Sequence, residues 1–168
     1  MEDKELLLKD LCARLPYGVK GTVEIEVSTG EYSIESGHLL FMEKEIDVEL
    51  LGINKETEEI EVYPLNKNID LSDYDYVIND FIPYLRPLSS MTEEEKEEFH
   101  KLKQFSVTVV MPNGVSRIKP TYIVDLEDDG DGINYLYDWL NAHHFDYRGL
   151  IEKGLAIEVT KENNPYDK

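Results

Sequence analysis

The chain has 168 residues, 36 of them acidic against 17 basic, for a formal net charge of −19 at pH 7. That balance disfavours bare nucleic acid or an anionic membrane surface as a partner over most of the molecule, and a single cysteine, Cys12, excludes an intrachain disulfide. The length fits one domain, or two small lobes sharing a core.

Residues 4–15 are predicted to be helical, because Leu7 or Leu8, Leu11 or Cys12, and Leu15 recur at three- and four-residue intervals. Pro16 and Gly18 stop the helix. From Val19 to Tyr63 the period becomes two. Val23, Ile25 and Val27 alternate with Glu24 and Glu26; Ile46, Val48 and Leu50 alternate with Asp47 and Glu49; Ile60 and Val62 alternate with Glu59 and Glu61. Such alternation packs one face of a sheet and leaves Glu24, Glu26, Asp47, Glu49, Glu59 and Glu61 on the other, an anionic plate. Thr29-Gly30 is expected to turn a hairpin, residues 37–42 to form a strand, 54–58 a loop, and 70–80 a loop with a helical turn.

Residues 82–87 must be extended, since Pro83 and Pro87 each disfavour helix in the residue before them. Thr92 with Glu95 three residues on is a capping box, and Glu93 and Glu94 complement the positive end of the helix it opens. That helix runs to about Lys103, largely solvated, with Phe99 and Leu102 as apolar anchors. Pro112-Asn113-Gly114 predicts a hairpin between strands at 106–111 and 115–119, and 121–126 reads as a further strand. Ile133, Leu136, Tyr137 and Leu140 make an i, i+3, i+4, i+7 helix. A second short helix is expected from Asp146 to Gly154, burying Leu150 and Ile151 against Leu136, Trp139 and Leu140. A last strand follows at 155–159, and 161–168 reads as a disordered tail.

Two constellations carry possible chemistry. Glu127, Asp129, Asp131 and, at the twelfth position, Asp138 approximate the alternating oxygen ligands of a calcium loop, with Gly132 at its sharp turn. The first position should be Asp and the eighth apolar rather than Asn134, so capping of the following helix by these acids is the favoured reading. His143, His144, Asp146 and Arg148 crowd one turn. Their types suit acid–base work or a metal, yet no Cys or third His completes a zinc shell, and the favoured role is structural: histidine at a helix C-terminus and Asp146 as a cap. A DNA-reading helix pair at 133–154 is disfavoured because Arg148 and Lys153 are its second helix's only cations.

Three blocks, LLLKDLCARLPYG at 6–18, PYLRPLSSMTEEE at 83–95 and DWLNAHHFDYRGLIEKGL at 138–155, cover about a quarter of the chain. They resemble a group of small uncharacterised proteins of gut bacteria and their phages. The resemblance implies a phage or mobile-element setting and assigns no function; the acidic loop lies outside the blocks.

The expected fold is therefore α+β, with an N-terminal helix on a small curved antiparallel sheet or SH3-like barrel spanning about 19–87. A linker helix at 92–104 joins this lobe to a smaller αβ lobe at 106–160. The N-terminus lacks the regions of a signal peptide, and no apolar run approaches the ~20 residues of a membrane span, so a cytoplasmic location without membrane contact is expected. The first functional expectation is a non-enzymatic module with no catalytic residues and no cofactor, binding a protein with a basic surface. Its rivals are a metal-dependent or acid–base enzyme built on the acidic loop and the histidine turn, a calcium-binding module, and an adaptor whose acidity serves only solubility.

Overall fold

The computed structural model describes residues 3–34, 36–72, 74–110, 116–122 and 130–167. It is a mixed α+β structure. Helix α1 (Asp3–Arg14) ends in a short 3-10 turn, and Gly18, at φ 67°, supplies the left-handed residue that stops it. Strands β1 (Lys20–Tyr32) and β2 (Leu39–Ile53) form a long antiparallel hairpin, followed by β3 (Glu59–Pro64), β4 (Tyr76–Val77) and β5 (Ile82–Pro87). Helix α2 (Glu93–Lys103), the hairpin of β6 (Gln104–Val110) and β7 (Ser116–Tyr122), and helix α3 (Gly130–Ala142) come next. Two short strands, β8 (Phe145–Asp146) and β9 (Ile157–Glu158), complete the elements.

The main sheet has seven strands in the order β4-β3-β2-β1-β5-β8, with β9 also on β5. It is open, so the SH3-like barrel is not found, and with β8 and β9 parallel to β5 it is a mixed sheet rather than the small antiparallel one expected. The reason lies at β5. The edge that pairs with β1 through Gly21↔Pro83 and Thr22↔Ile82 is continued in parallel by β8 at Arg86↔Phe145, and the opposite edge, where Val159 N–H donates to the Leu85 carbonyl, is taken in parallel by β9 at Tyr84↔Ile157. No edge of β5 is left to close onto β4. The strand expected at 155–159 is found in part as β9, and it and β8, at a position where no strand was expected, both pair with β5 of the main sheet.

Alternation sorts the sheet as anticipated. Val23, Ile25, Ile46, Val48, Leu50 and Ile60 are buried with Leu7 and Leu11 of α1, while Val27 and Val62 pack at the margin of this core. Gly21 is required where β1 meets β5, because a Cβ there would lie 2.4 Å from the Ile82 carbonyl oxygen and 2.6 Å from Phe81.

Three local expectations need correction. Thr29-Gly30 lies inside β1, not at its end; Gly30, at φ 75°, marks a break in register between Ser28 and Tyr32, and the chain turns at Ser33–His38 instead. The segment starting at Asp146 is a run of turns rather than a helix. Asp146 still caps it, accepting Leu150 and Ile151 N–H at 2.9 Å each, so the cap is present without the helix. Residues 161–167, expected to be a loose tail, are docked: the Tyr166 hydroxyl donates to the Tyr84 carbonyl at 2.9 Å, and Lys20 Nζ donates to the Pro165 carbonyl at 2.9 Å.

The apolar face of α3 also finds a different partner. Leu140 and Trp139 pack with Phe145, Met91 and Phe99, whereas Leu150 and Ile151 pack with Leu85, Ala156 and Leu6. The capping box is present as predicted, Glu95 N–H donating to Thr92 Oγ1 at 3.2 Å and Thr92 N–H to Glu95 at 2.8 Å. Glu95 also takes a two-pronged Arg86 at 2.7 and 2.8 Å, a contact that holds its carboxyl below the usual range. The Asn113-Gly114 turn and residues 123–126 lie outside the described residues, while the β6–β7 pairing on either side runs from Gln104↔Tyr122 to Val110↔Ser116.

Candidate interaction face

The polar face of β1–β3 is built by register. Lys20 lies opposite Glu49, Thr22 opposite Asp47, Glu24 opposite Glu45 and Glu26 opposite Glu43. On the next strand Tyr63 lies beside Glu49, and Glu61 opposite Gly52. Glu24, Glu26, Asp47, Glu59 and Glu61 are exposed, and Glu49 is half-buried. Glu43 and Glu45, also exposed, belong to the same face but were not assigned to it from sequence. The signal existed: positions 43, 45, 47 and 49 share one parity.

The ladder's phase makes the paired glutamates close. Leu50 N–H donates to the Val19 carbonyl at 3.0 Å, so hydrogen-bonded pairs recur every second residue from there: Gly21/Val48, Val23/Ile46, Ile25/Lys44. Glu24/Glu45 and Glu26/Glu43 are then non-hydrogen-bonded pairs, whose Cα atoms approach to about 4.5 Å. Like charges directly opposite on a sheet are destabilising. The face therefore holds repulsion that an arriving positive charge relieves.

One end of this face is closed by the docked C-terminal segment. Tyr84 O–H donates to Asp47 Oδ1 at 2.8 Å, and burial, then this carboxylate, pushes the Tyr84 phenol up. Lys20 Nζ sits 5.5 Å from the centre of the Tyr166 ring. Between the segment and the outer side of β2 lies a cleft of about 1040 Å³, lined in part by Lys44, Glu45, Asp47, Leu65 and Asn163.

The histidine turn does not assemble a site. His143 Nδ1 is 2.8 Å from the Trp139 carbonyl, near the end of α3, with its ring stacked on Trp139 at 4.1 Å. His144, in the left-handed region at φ 57°, is buried and stacks on Tyr166 at 3.8 Å. Both oxygens of Asp146 are taken by main-chain N–H groups, as described above. Arg148 donates to Asp10 Oδ1 at 2.9 Å. Each residue is held by a different partner.

What the sequence reading missed is the buried ion cluster beside this turn. Asp10 and Arg14 are wholly buried; Arg14 Nε and Nη2 donate to Asp10 at 2.6 and 3.1 Å, and Nη2 donates to the Phe145 carbonyl at 2.7 Å. Leu7, Asp10, Leu11 and Arg14 form an i, i+3, i+4, i+7 set, so spacing alone puts both charges on the packed stripe of α1. Arg14 Nη1 and His144 Nδ1 are buried without a hydrogen-bond partner among the described residues.

His144 gives this region a pH dependence. Burial, followed by the positive charges of Arg14, Lys20, His143 and Arg86, lowers its pKa to about 3 from 6.5. The unfolded chain therefore takes up a proton between those values that the folded chain refuses. Stability is full above the upper value and falls with pH through the window, by at most about 1.4 kcal/mol per unit. Urea unfolding at pH 6.5 and 4.5 is expected to show a loss about 2 kcal/mol larger for wild type than for His144→Phe, which keeps the stack but cannot titrate. Equal losses would mean that His144 accepts a proton in place.

Of the calcium-loop residues, Glu127 and Asp129 lie outside the described residues. Asp131 and Gly132 are within α3, so the position expected at a sharp turn is helical. Asp138, exposed on α3, faces the Tyr17 hydroxyl; that phenol is raised chiefly by burial and then by this carboxylate. Among the described residues no three His, Cys, Asp or Glu side chains are grouped to hold a metal ion, and no helix is long and apolar enough to cross a membrane. Comparison with protein-family models, curated proteins and solved structures returns no match.

Proposed function

We propose that this protein is a non-catalytic interaction module, acting in the phage or mobile-element setting implied by the three sequence blocks, whose carboxylate face on β1–β3 receives a basic surface of a partner protein. The observation that carries the proposal is the pairing of Glu24 with Glu45 and Glu26 with Glu43 at the narrow positions of the ladder. Surface charge that served solubility alone would be as effective staggered, and would not incur the cost of direct opposition.

Stability and binding should therefore move in opposite directions. Glu24→Lys with Glu26→Lys converts two repulsive pairs into attractive ones and is expected to raise stability by about 0.5–2 kcal/mol. The same variant should lose its partner in a lysate capture at both low and moderate salt, by more than about tenfold. A variant that gains stability and still captures every protein that wild type captures would leave the charge as a solubility device.

A further inference from the structure

The outer edge of β2 is open along the arm of the long hairpin. Asp47 and Thr22 form a non-hydrogen-bonded pair, so the main-chain groups of Asp47 point away from β1, as the Leu65 N–H donating to the Asp47 carbonyl at 2.9 Å attests. By the same phase the N–H and C=O groups of Glu45, Glu43 and Phe41 point outward. Strand β3 pairs with β2 only from Val48 to Ile53, and no described residue pairs with the edge below Asp47. The opposite edge of the arm is less free, because the Tyr74 hydroxyl donates to the Glu26 carbonyl at 2.7 Å.

The two faces of this open strand differ in chemistry. Glu43 and Glu45 stand on one, next to Glu26 and Glu24, with the exposed Phe41 beyond them. Leu40 and Met42, 41% and 54% exposed, stand on the other together with the exposed Lys44, where the packed face of the sheet runs out beyond its core. Exposed apolar side chains on a free strand edge invite another strand. The carboxylates choose its charge.

We infer that β2 accepts, along Phe41–Glu45, an extended segment of a partner that adds a strand to the sheet, with basic side chains on the carboxylate face alternating with apolar side chains over Leu40 and Met42. This rests on the proposed role of the carboxylate face and specifies how it is used. Main-chain hydrogen bonds supply the attachment, and period-two alternation of basic and apolar residues is the pattern recognised. The highly acidic body argues against a second copy of this chain as the occupant.

The test uses the full chain and seven-residue peptides, blocked at both ends, read by fluorescence anisotropy. A peptide of alternating lysine and valine is expected to bind, and one of alternating glutamate and valine is not. Two further peptides carry N-methyl groups on every lysine nitrogen or on every valine nitrogen, leaving charge unchanged. Strand addition requires one of them to lose at least about tenfold in affinity, the lysine-methylated one for an antiparallel strand and the valine-methylated one for a parallel strand. Glu43→Lys with Glu45→Lys should abolish binding of the lysine–valine peptide. Equal affinity for all three lysine peptides overturns strand addition while leaving the charged face as a binding surface. Failure of every lysine peptide, with capture of a partner by wild type intact, also overturns the inference without touching the proposed function; failure of both peptide binding and charge-dependent capture overturns the two together.

Discussion

Asp10→Ala is expected to destabilise the protein by about 3–5 kcal/mol, because it removes the counter-charge of a wholly buried guanidinium. For a chain of this size that is a fall in Tm of roughly 10 °C. Asp10 receives Arg14 through two donors and Arg148 through one. Without it, among the described residues, Arg14 keeps a hydrogen bond to the Phe145 carbonyl and the Tyr147 ring, 5.4 Å from its guanidinium carbon. Asp10→Asn should fall between, since the amide oxygen still accepts a hydrogen bond while the charge is gone. Removing Asp10 and Arg14 together should cost less than the sum of the single losses, because neither charge is then stranded. Thermal and urea unfolding of the three variants decides this; a loss below about 1 kcal/mol for Asp10→Ala would show that water reaches the pair.

Phe145→Ala is expected to cost a similar amount, about 3–5 kcal/mol. The ring is completely buried, stacks on Trp139 with centroids 5.6 Å apart and carries the Arg86 guanidinium 4.3 Å from its centre. It thus joins three elements: α3 through Trp139 and Leu140, the main sheet through its own position in β8, and the α2 cap through Arg86, which also holds Glu95. Phe145→Leu retains most of the volume and should cost less than about 1.5 kcal/mol. Equal stability of the alanine variant and wild type in urea would contradict this account of how α3 is fastened.

The sheet was legible because its information is local in sequence. Val23, Ile25, Ile46 and Val48 alternate with acids, and parity alone assigns their faces. Helix α3 and the Thr92–Glu95 box were legible for the same reason, each within about two turns of chain. Closure was not legible. Whether β5 meets β4 or meets β8 and β9 depends on contacts more than fifty residues apart, such as Arg86↔Phe145, and nothing local at Ile82–Pro87 states them. Gly30 misled because a glycine that relieves a bulge looks the same in sequence as one that makes a turn. The acidic face was read in part: parity gave Glu24 and Glu26, but their opposition to Glu45 and Glu43 is a property of register. Asp10 and Arg14 were passed over because charged residues are seldom fully buried, although their spacing from Leu7 and Leu11 already placed them inward.

The two parallel strands on β5 also bear on the order in which the protein can be made. As the chain leaves the ribosome, α1 and β1–β5 are available long before Phe145 or Ile157 has been synthesised. Through that interval the far edge of β5 has no partner from its own sheet, and its neighbour Arg14 has no Phe145 carbonyl to bind. An unpaired strand edge and a half-met buried charge are what aggregation and chaperone capture act upon. Non-local parallel pairing forms slowly for the same entropic reason. The nascent chain must therefore wait, with one edge of β5 exposed, for its last quarter to arrive.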